Sequence, residues 1–226
     1  MYVDSHCHLA FPELADDLDG VVARMHAAGV TTALSVCVRL EDFDRVLQTT
    51  RRHASIYASV GVHPDATEGE GEAAGPPLHE PDVATLVRLA ADPKVVAVGE
   101  TGLDYFRLVE PLEWQRERFR VHIRAARACG KPLIVHTRNA AEDTLRLLRE
   151  EGAENVGGVM HCFTESLEIA RAALDLGFYI SFSGIVTFKN SAQVKEVAAA
   201  VPLDRILRGL GEARDRLVLA FREQCE

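Results

Sequence analysis

Seven times along this chain a short run of consecutive apolar residues is followed by a helical stripe. The strand-like runs are Tyr2–Val3 leading into His6, then Thr31–Val38, Ile56–Val62, Val95–Gly99, Pro132–His136, Gly157–His161 and Phe178–Ile185. Continuous apolar runs, rather than alternating ones, belong to strands buried on both faces, which is the condition of a parallel sheet covered by helices. The intervening segments carry apolar residues at helical spacing: Leu14, Leu18, Val21, Val22 and Met25 predict one helix over 13–28, with Gly29 as its stop. Further helices are predicted over 43–50, 81–90 with Pro81 in the first turn, 111–129, 139–151, 167–176 and 191–200. An open doubly wound sheet is the alternative, but no G-x-G-x-x-G follows the first strand. The pattern therefore predicts an α/β fold, a (β/α)8 TIM-type barrel with an incomplete eighth strand (Arg205–Arg208) and helix.

Bulk properties narrow the function classes. With 226 residues and 47% hydrophobic content the chain can bury one large core, and it is read as a single domain over 1–226, with a mobile loop at 65–82 and a divergent tail at 208–226. A net charge of −9 excludes a generally basic nucleic-acid binder, so an anionic substrate has to be held by local cations or metal. The five cysteines are an odd, scattered set without C-x-x-C, which predicts reduced thiols. No signal-peptide pattern opens the chain and no apolar run approaches a membrane span, so the expectation is a cytoplasmic protein without membrane contact.

In a barrel of this kind chemistry gathers at the carboxyl ends of the strands. There the sequence places His6 and His8, His63, Glu100 and Asp104, His136 followed by Arg138, and His161. An H-x-H pair on a strand end directs both rings to the same side. Joined by Glu100, His136 and His161 it makes five ligands of metal-binding type, enough for two divalent ions (Mg, Mn or Zn) bridged by Glu100. Such a pair hydrolyses an ester without a covalent nucleophile, and Glu100, His136 and His161 are the candidate catalytic groups. Arg138 is placed to hold a phosphate or carboxylate, and His63 to touch substrate or support a ligand. His26, His53, His79 and His122 are read as surface or helix-face residues, Cys162 as packing, and Trp114 and Phe119 as helix-to-barrel packing.

The segments VDSHCHL (3–9), GVHP (61–64), GETGLDYF (99–106), KPLIVHTRNA (131–140), MHCFTE (160–165), GFYISFSGIVTFKN (177–190) and VPLDRIL (201–207) closely resemble the TatD family of metal-dependent deoxyribonucleases. The resemblance implies an amidohydrolase-like barrel and phosphodiester hydrolysis of DNA, as a 3′ to 5′ exonuclease using magnesium or a similar ion. It implies metal-ligand roles for His6, His8, Glu100, His136 and His161, and places near the site, as substrate contacts, for His63, Asp104 and Arg138. Two departures stand out. Asn139 replaces a frequent aspartate, and Gly211 falls where the family carries the strand-eight aspartate, with Glu212 and Asp215 as the nearby carboxylates. The resemblance with that departure predicts a smaller barrel, monomeric or weakly self-associating. It also leaves open a hydrolase of another ester or amide, or a metal-binding barrel with impaired turnover.

Overall fold

The structure, a computed structural model, describes residues 2–67, 78–106 and 112–208. Eight parallel strands follow one another in chain order, β1 (Tyr2–Cys7), β2 (Val30–Ser35), β3 (Ile56–Val60), β4 (Val95–Asp104), β5 (Leu133–Arg138), β6 (Gly158–Met160), β7 (Phe178–Phe182) and β8 (Ile206–Arg208). The sheet curls into a nearly closed (β/α)8 barrel. Its helices are α1 (Pro12–Ala15), α2 (Leu18–Ala27), α3 (Phe43–Arg52), α4 (Val83–Ala90), α5 (Glu113–Cys129), α6 (Ala141–Glu150), α7 (Leu167–Asp175) and α8 (Ala192–Ala200).

Strand and helix order agree with the sequence reading, and the boundaries differ for local reasons. The helix expected over 13–28 is two helices, interrupted at Asp16 and Asp17, although Gly29 ends the second one with a positive φ as anticipated. α4 starts after Asp82, whose carboxylate accepts the Thr85 N–H at 2.7 Å; a side-chain cap, not Pro81, sets the start. β4 runs through Asp104 instead of stopping at Gly99, so Glu100 lies within a strand.

The eighth strand, anticipated as a stub over Arg205–Arg208, is three residues long, Ile206–Arg208, and pairs to β7 through Ile180–Ile206 and Ser181–Leu207. Among the described residues it forms no ladder with β1, where Tyr2 and Val3 stand 45% and 55% exposed. Gly211, Glu212 and Asp215, most of the 65–82 loop and Cys225 lie outside the described residues. Cys7, Cys37, Cys129 and Cys162 are free thiols, and among the described residues no helix is long and apolar enough to cross a membrane.

The core lies between sheet and helices, filled by Phe119, Ile123, Leu133, Phe163, Phe178 and Phe182. α5 adds something the hydrophobic pattern does not announce. Gln115, Arg118 and His122 lie three and four residues apart on its buried face. His122 is fully buried, so of its reading as a surface or helix-face histidine only the helix face holds, and that face is turned inward. Its Nδ1–H donates to the Arg118 carbonyl at 2.8 Å, leaving Nε2 to accept the Val62 N–H at 3.0 Å. Arg118 donates to the carbonyls of His63 and Ala66 at 3.1 and 2.8 Å and pairs with Glu80. Phe119 packs in the core as expected, whereas Trp114 is 38% exposed and carries the Arg118 guanidinium over its ring.

Burial pushes the His122 imidazole from 6.5 down to about 4. The unfolded chain thus takes up a proton that the folded chain refuses. Stability is complete above about pH 6.5 and is lost as pH falls from there toward 4, by about 3 kcal/mol at 1.36 kcal/mol per pH unit. Urea unfolding across this window should show that His122→Gln flattens the pH dependence by that order; equal slopes in both proteins would contradict the assignment.

Candidate metal centre

Every histidine and carboxylate singled out at a strand end is brought to one rim of the barrel. Glu100, buried on β4, is the hub. Its Oε2 lies 3.3 Å from His6 Nε2, and its Oε1 lies 3.5 Å from His136 Nδ1 and 3.8 Å from His63 Nε2. Two three-residue groups share this carboxylate, His6–Glu100–His161 and His63–Glu100–His136, with the donor atoms of each within 4.8 Å of one another. The sequence reading set His6 and His8 together as an H-x-H pair. The geometry instead stacks His161 on His6, with centroids 3.4 Å apart and planes at 9°, and sets His63 edge-on to His136 at 4.5 Å. His8 stands beside both groups, its ring T-shaped to His6 at 5.1 Å.

Ring orientation follows from groups behind the rings. His136 Nε2 contacts Asp104 Oδ2 at 3.1 Å, and His63 Nδ1 contacts Asp65. His136 thus lies between two carboxylates, Glu100 on its Nδ1 side and Asp104 on its Nε2 side, and His63 likewise has Asp65 on its Nδ1 side and Glu100 on its Nε2 side. An electron-rich convergence of this kind is satisfied by a cation. Two buried atoms point the same way: among the described residues, Nδ1 of His6 and Nδ1 of His8 have no hydrogen-bond partner. Imidazole and carboxylate donors together suit zinc, manganese and related ions, so the residues present fit a divalent metal.

The electrostatics agree with that fit. Burial alone would raise the Glu100 carboxyl, but the surrounding His6, His136 and His63 rings outweigh it and hold it well below the usual carboxylate range. Burial, reinforced by His6, lowers His161 to about 3 and also lowers His8, so both rings are neutral, the form that ligates. His136 goes up: burial opposes the proton, and hydrogen bonds and charge from Glu100 and Asp104 overcome it.

Asp104, expected to touch substrate, is 1% exposed; one oxygen accepts the Phe106 N–H at 2.9 Å and the other faces His136, so it stands behind the histidine as a support. Arg138 is at the rim, its guanidinium 3.7 Å from the centre of the exposed Phe106 ring. Cys162 packs its Sγ 2.9 Å from Ser183 Oγ, and burial raises its thiol, as befits packing rather than nucleophilic attack.

Sequence reasoning missed Asp65, which it left in a mobile loop although His63-Pro64-Asp65 puts a carboxylate two residues from the ring it orients. It also missed Gln115. That amide accepts the Asp104 N–H at 2.9 Å and donates to the Pro64 carbonyl at 3.1 Å, joining the ends of β3 and β4 from beneath. Register does the rest: β4 and β5 pair Gly102 with His136 and Asp104 with Arg138. Gly102 is required there, because at φ +137° a Cβ would lie 1.9 Å from the His136 carbonyl oxygen. Gly102→Ala should cost about 2–5 kcal/mol from backbone strain and overpacking, read by urea unfolding; a loss within experimental error would show that the strands separate freely here.

A cleft of about 370 Å³ opens onto this rim between His8, Phe11, Val38, Arg39, His63 and Glu100. Comparison with known proteins matches residues 3–209 to the family described as TatD related DNase. The chain is 46% identical over 209 residues to the uncharacterized metal-dependent hydrolase YcfH of Escherichia coli K12, covering 91% of this chain and 75% of that protein. It is 34% identical over 193 residues to the 3′–5′ ssDNA/RNA exonuclease TatD of Cronobacter turicensis, covering 84% and 70% of the two. The crystal structure of YjjV, a TatD homolog from Escherichia coli K12, superposes with a TM-score of 0.79 at 27% identity, over 91% of this chain and 77% of that one.

Proposed function

The chain belongs to the TatD-related DNase family of metal-dependent hydrolases, and on that premise we propose that it hydrolyses phosphodiester bonds of DNA as a 3′ to 5′ exonuclease, acting as one domain with two divalent ions. The observation that carries this reading is Glu100, one buried carboxylate whose two oxygens face His6 at 3.3 Å and His136 at 3.5 Å. His6, His8, Glu100, His136 and His161 are the proposed metal ligands. Such ions supply Lewis acidity, polarising the phosphoryl group and making water a competent nucleophile at neutral pH.

The chain's own residues have separate tasks. Glu100 stays ionised because the rings around it favour its charged form, so it can serve both ligand groups at once. In the metal-loaded centre Asp104 would hold the proton of His136 on Nε2 and Asp65 that of His63 on Nδ1, leaving the inward nitrogens free to ligate. Arg138, stacked on Phe106, offers a cation to a phosphate oxygen at the rim, and His63 lines the cleft together with Glu100. A local cation is needed because the net charge of −9 repels a polyanion. The similarity to the Cronobacter exonuclease supports the substrate class.

His136→Ala should lower manganese-dependent cleavage of a labelled oligonucleotide by at least about 100-fold, the upper range for losing a ligand's supporting partner alone. Unchanged cleavage would remove His136 from the centre. Gly211 favours a second reading, a barrel that binds metal with impaired turnover, because the resemblance calls for an aspartate at that position. Gly211→Asp separates the two: a rise in turnover of about tenfold or more supports impairment, whereas equal rates show that the wild type is already complete.

A further inference from the structure

The cleft beside the candidate metal centre has one wall that metal binding does not explain. Phe11 is 41% exposed, yet it sits at the carboxyl rim of the barrel in the turn that leaves β1. One face of its ring is stacked on His8, with centroids 4.8 Å apart and planes at 14°. Its backbone is fixed on both sides. The Phe11 N–H donates to the His8 carbonyl at 3.1 Å, and the Phe11 carbonyl accepts from Leu14 and Ala15 at 3.0 and 2.8 Å. Pro12 at the start of α1 restricts the chain further. The ring is thus a rigid platform, and it borders an open space of about 370 Å³ whose floor includes Glu100 and His63.

Val38 and Arg39 line the same cleft, with the Arg39 guanidinium anchored by the Thr67 carbonyl at 3.3 Å and by Glu41 at 3.6 Å. An aromatic wall, an aliphatic wall and a guanidinium, around a floor of carboxylate and imidazole, describe a slot for a flat polar ring attached to an anion. We propose that this cleft is a nucleobase subsite, in which a base adjoining the scissile phosphate stacks on Phe11 while the phosphate lies over Glu100. The inference rests on the phosphodiesterase reading and adds a consequence to it. A base reaches Phe11 only after leaving its neighbours, so the subsite selects an unpaired, unstacked strand end. Stacking has no hydrogen-bond code, so the subsite accepts all four bases.

The test uses the full chain with manganese and an end-labelled oligothymidylate. Two companion substrates carry an abasic residue, at the 3′-terminal or the penultimate position. For the all-base substrate, Phe11→Ala should lower kcat/KM by about 5- to 150-fold, the range that stacking of one base contributes, and Phe11→Trp should preserve it. On one of the two abasic substrates the wild type should lose a similar factor, and Phe11→Ala should cause no further loss. Phe11→Leu, which keeps bulk against His8 but lacks a π face, should behave as Phe11→Ala does. Equal losses by Phe11→Ala on all three substrates would mean that Phe11 only supports His8, and the subsite would be refuted. No loss on any of them refutes it as well. A wild type that cleaves none of the substrates overturns the phosphodiesterase reading itself, a result distinct from both.

Discussion

A carboxylate removed from water has to be compensated, and the environment of Glu100 is organised around that need. Left alone, burial would force the group to keep its proton. Here four imidazoles, from His6, His63, His136 and His161, converge on the ionised form from the ends of four strands. Among the described residues the match is not complete, since Nδ1 of His6 and Nδ1 of His8 are buried without hydrogen-bond partners. The same charge balance explains the wide spread of proton affinities over a few ångströms. His161 is driven down by burial and by His6, while His136, between two carboxylates, is driven up.

Holding such a cluster in place is a packing problem, and α5 solves it with polar side chains. Gln115, Arg118 and His122 reach the backbone of the segment after β3, from Val62 to Ala66, and the end of β4 at Asp104. These segments would otherwise carry unpaired carbonyls and amides beneath the rim. Because α5 is also anchored in the core by Phe119 and Ile123, the precision of the histidines is inherited from the barrel rather than from the loops that bear them.

The seam between β8 and β1 is the contrasting region. Three residues of β8 continue the sheet from β7, and β1 remains partly exposed at Tyr2 and Val3. The ligand-bearing part of β1, at His6, is nevertheless buried, because the centre itself and β2 cover it. The cleft opens on the β1–β3 arc of the rim, lined by His8 and Phe11 after β1, Val38 and Arg39 after β2 and His63 after β3.

The order of strands and helices was legible in the amino-acid sequence, because a buried parallel strand needs an unbroken apolar run and a covering helix needs a 3.6-residue stripe. The candidate ligands were legible too: His6, His8, Glu100, His136 and His161 each sit where such a run ends. What the sequence could not decide was partnership. That His161 lies against His6, and that Asp104 turns away from solvent toward His136, depend on contacts between residues distant along the chain. His122 shows the limit most clearly. A histidine at helical spacing looks the same whether it faces water or core, and only the closing of the barrel over α5 buries it and makes its nitrogen the partner of Val62. Local pattern follows from hydrophobicity and backbone geometry, which each segment carries in itself; the pairing of polar groups is settled only when tertiary packing brings them within hydrogen-bonding distance.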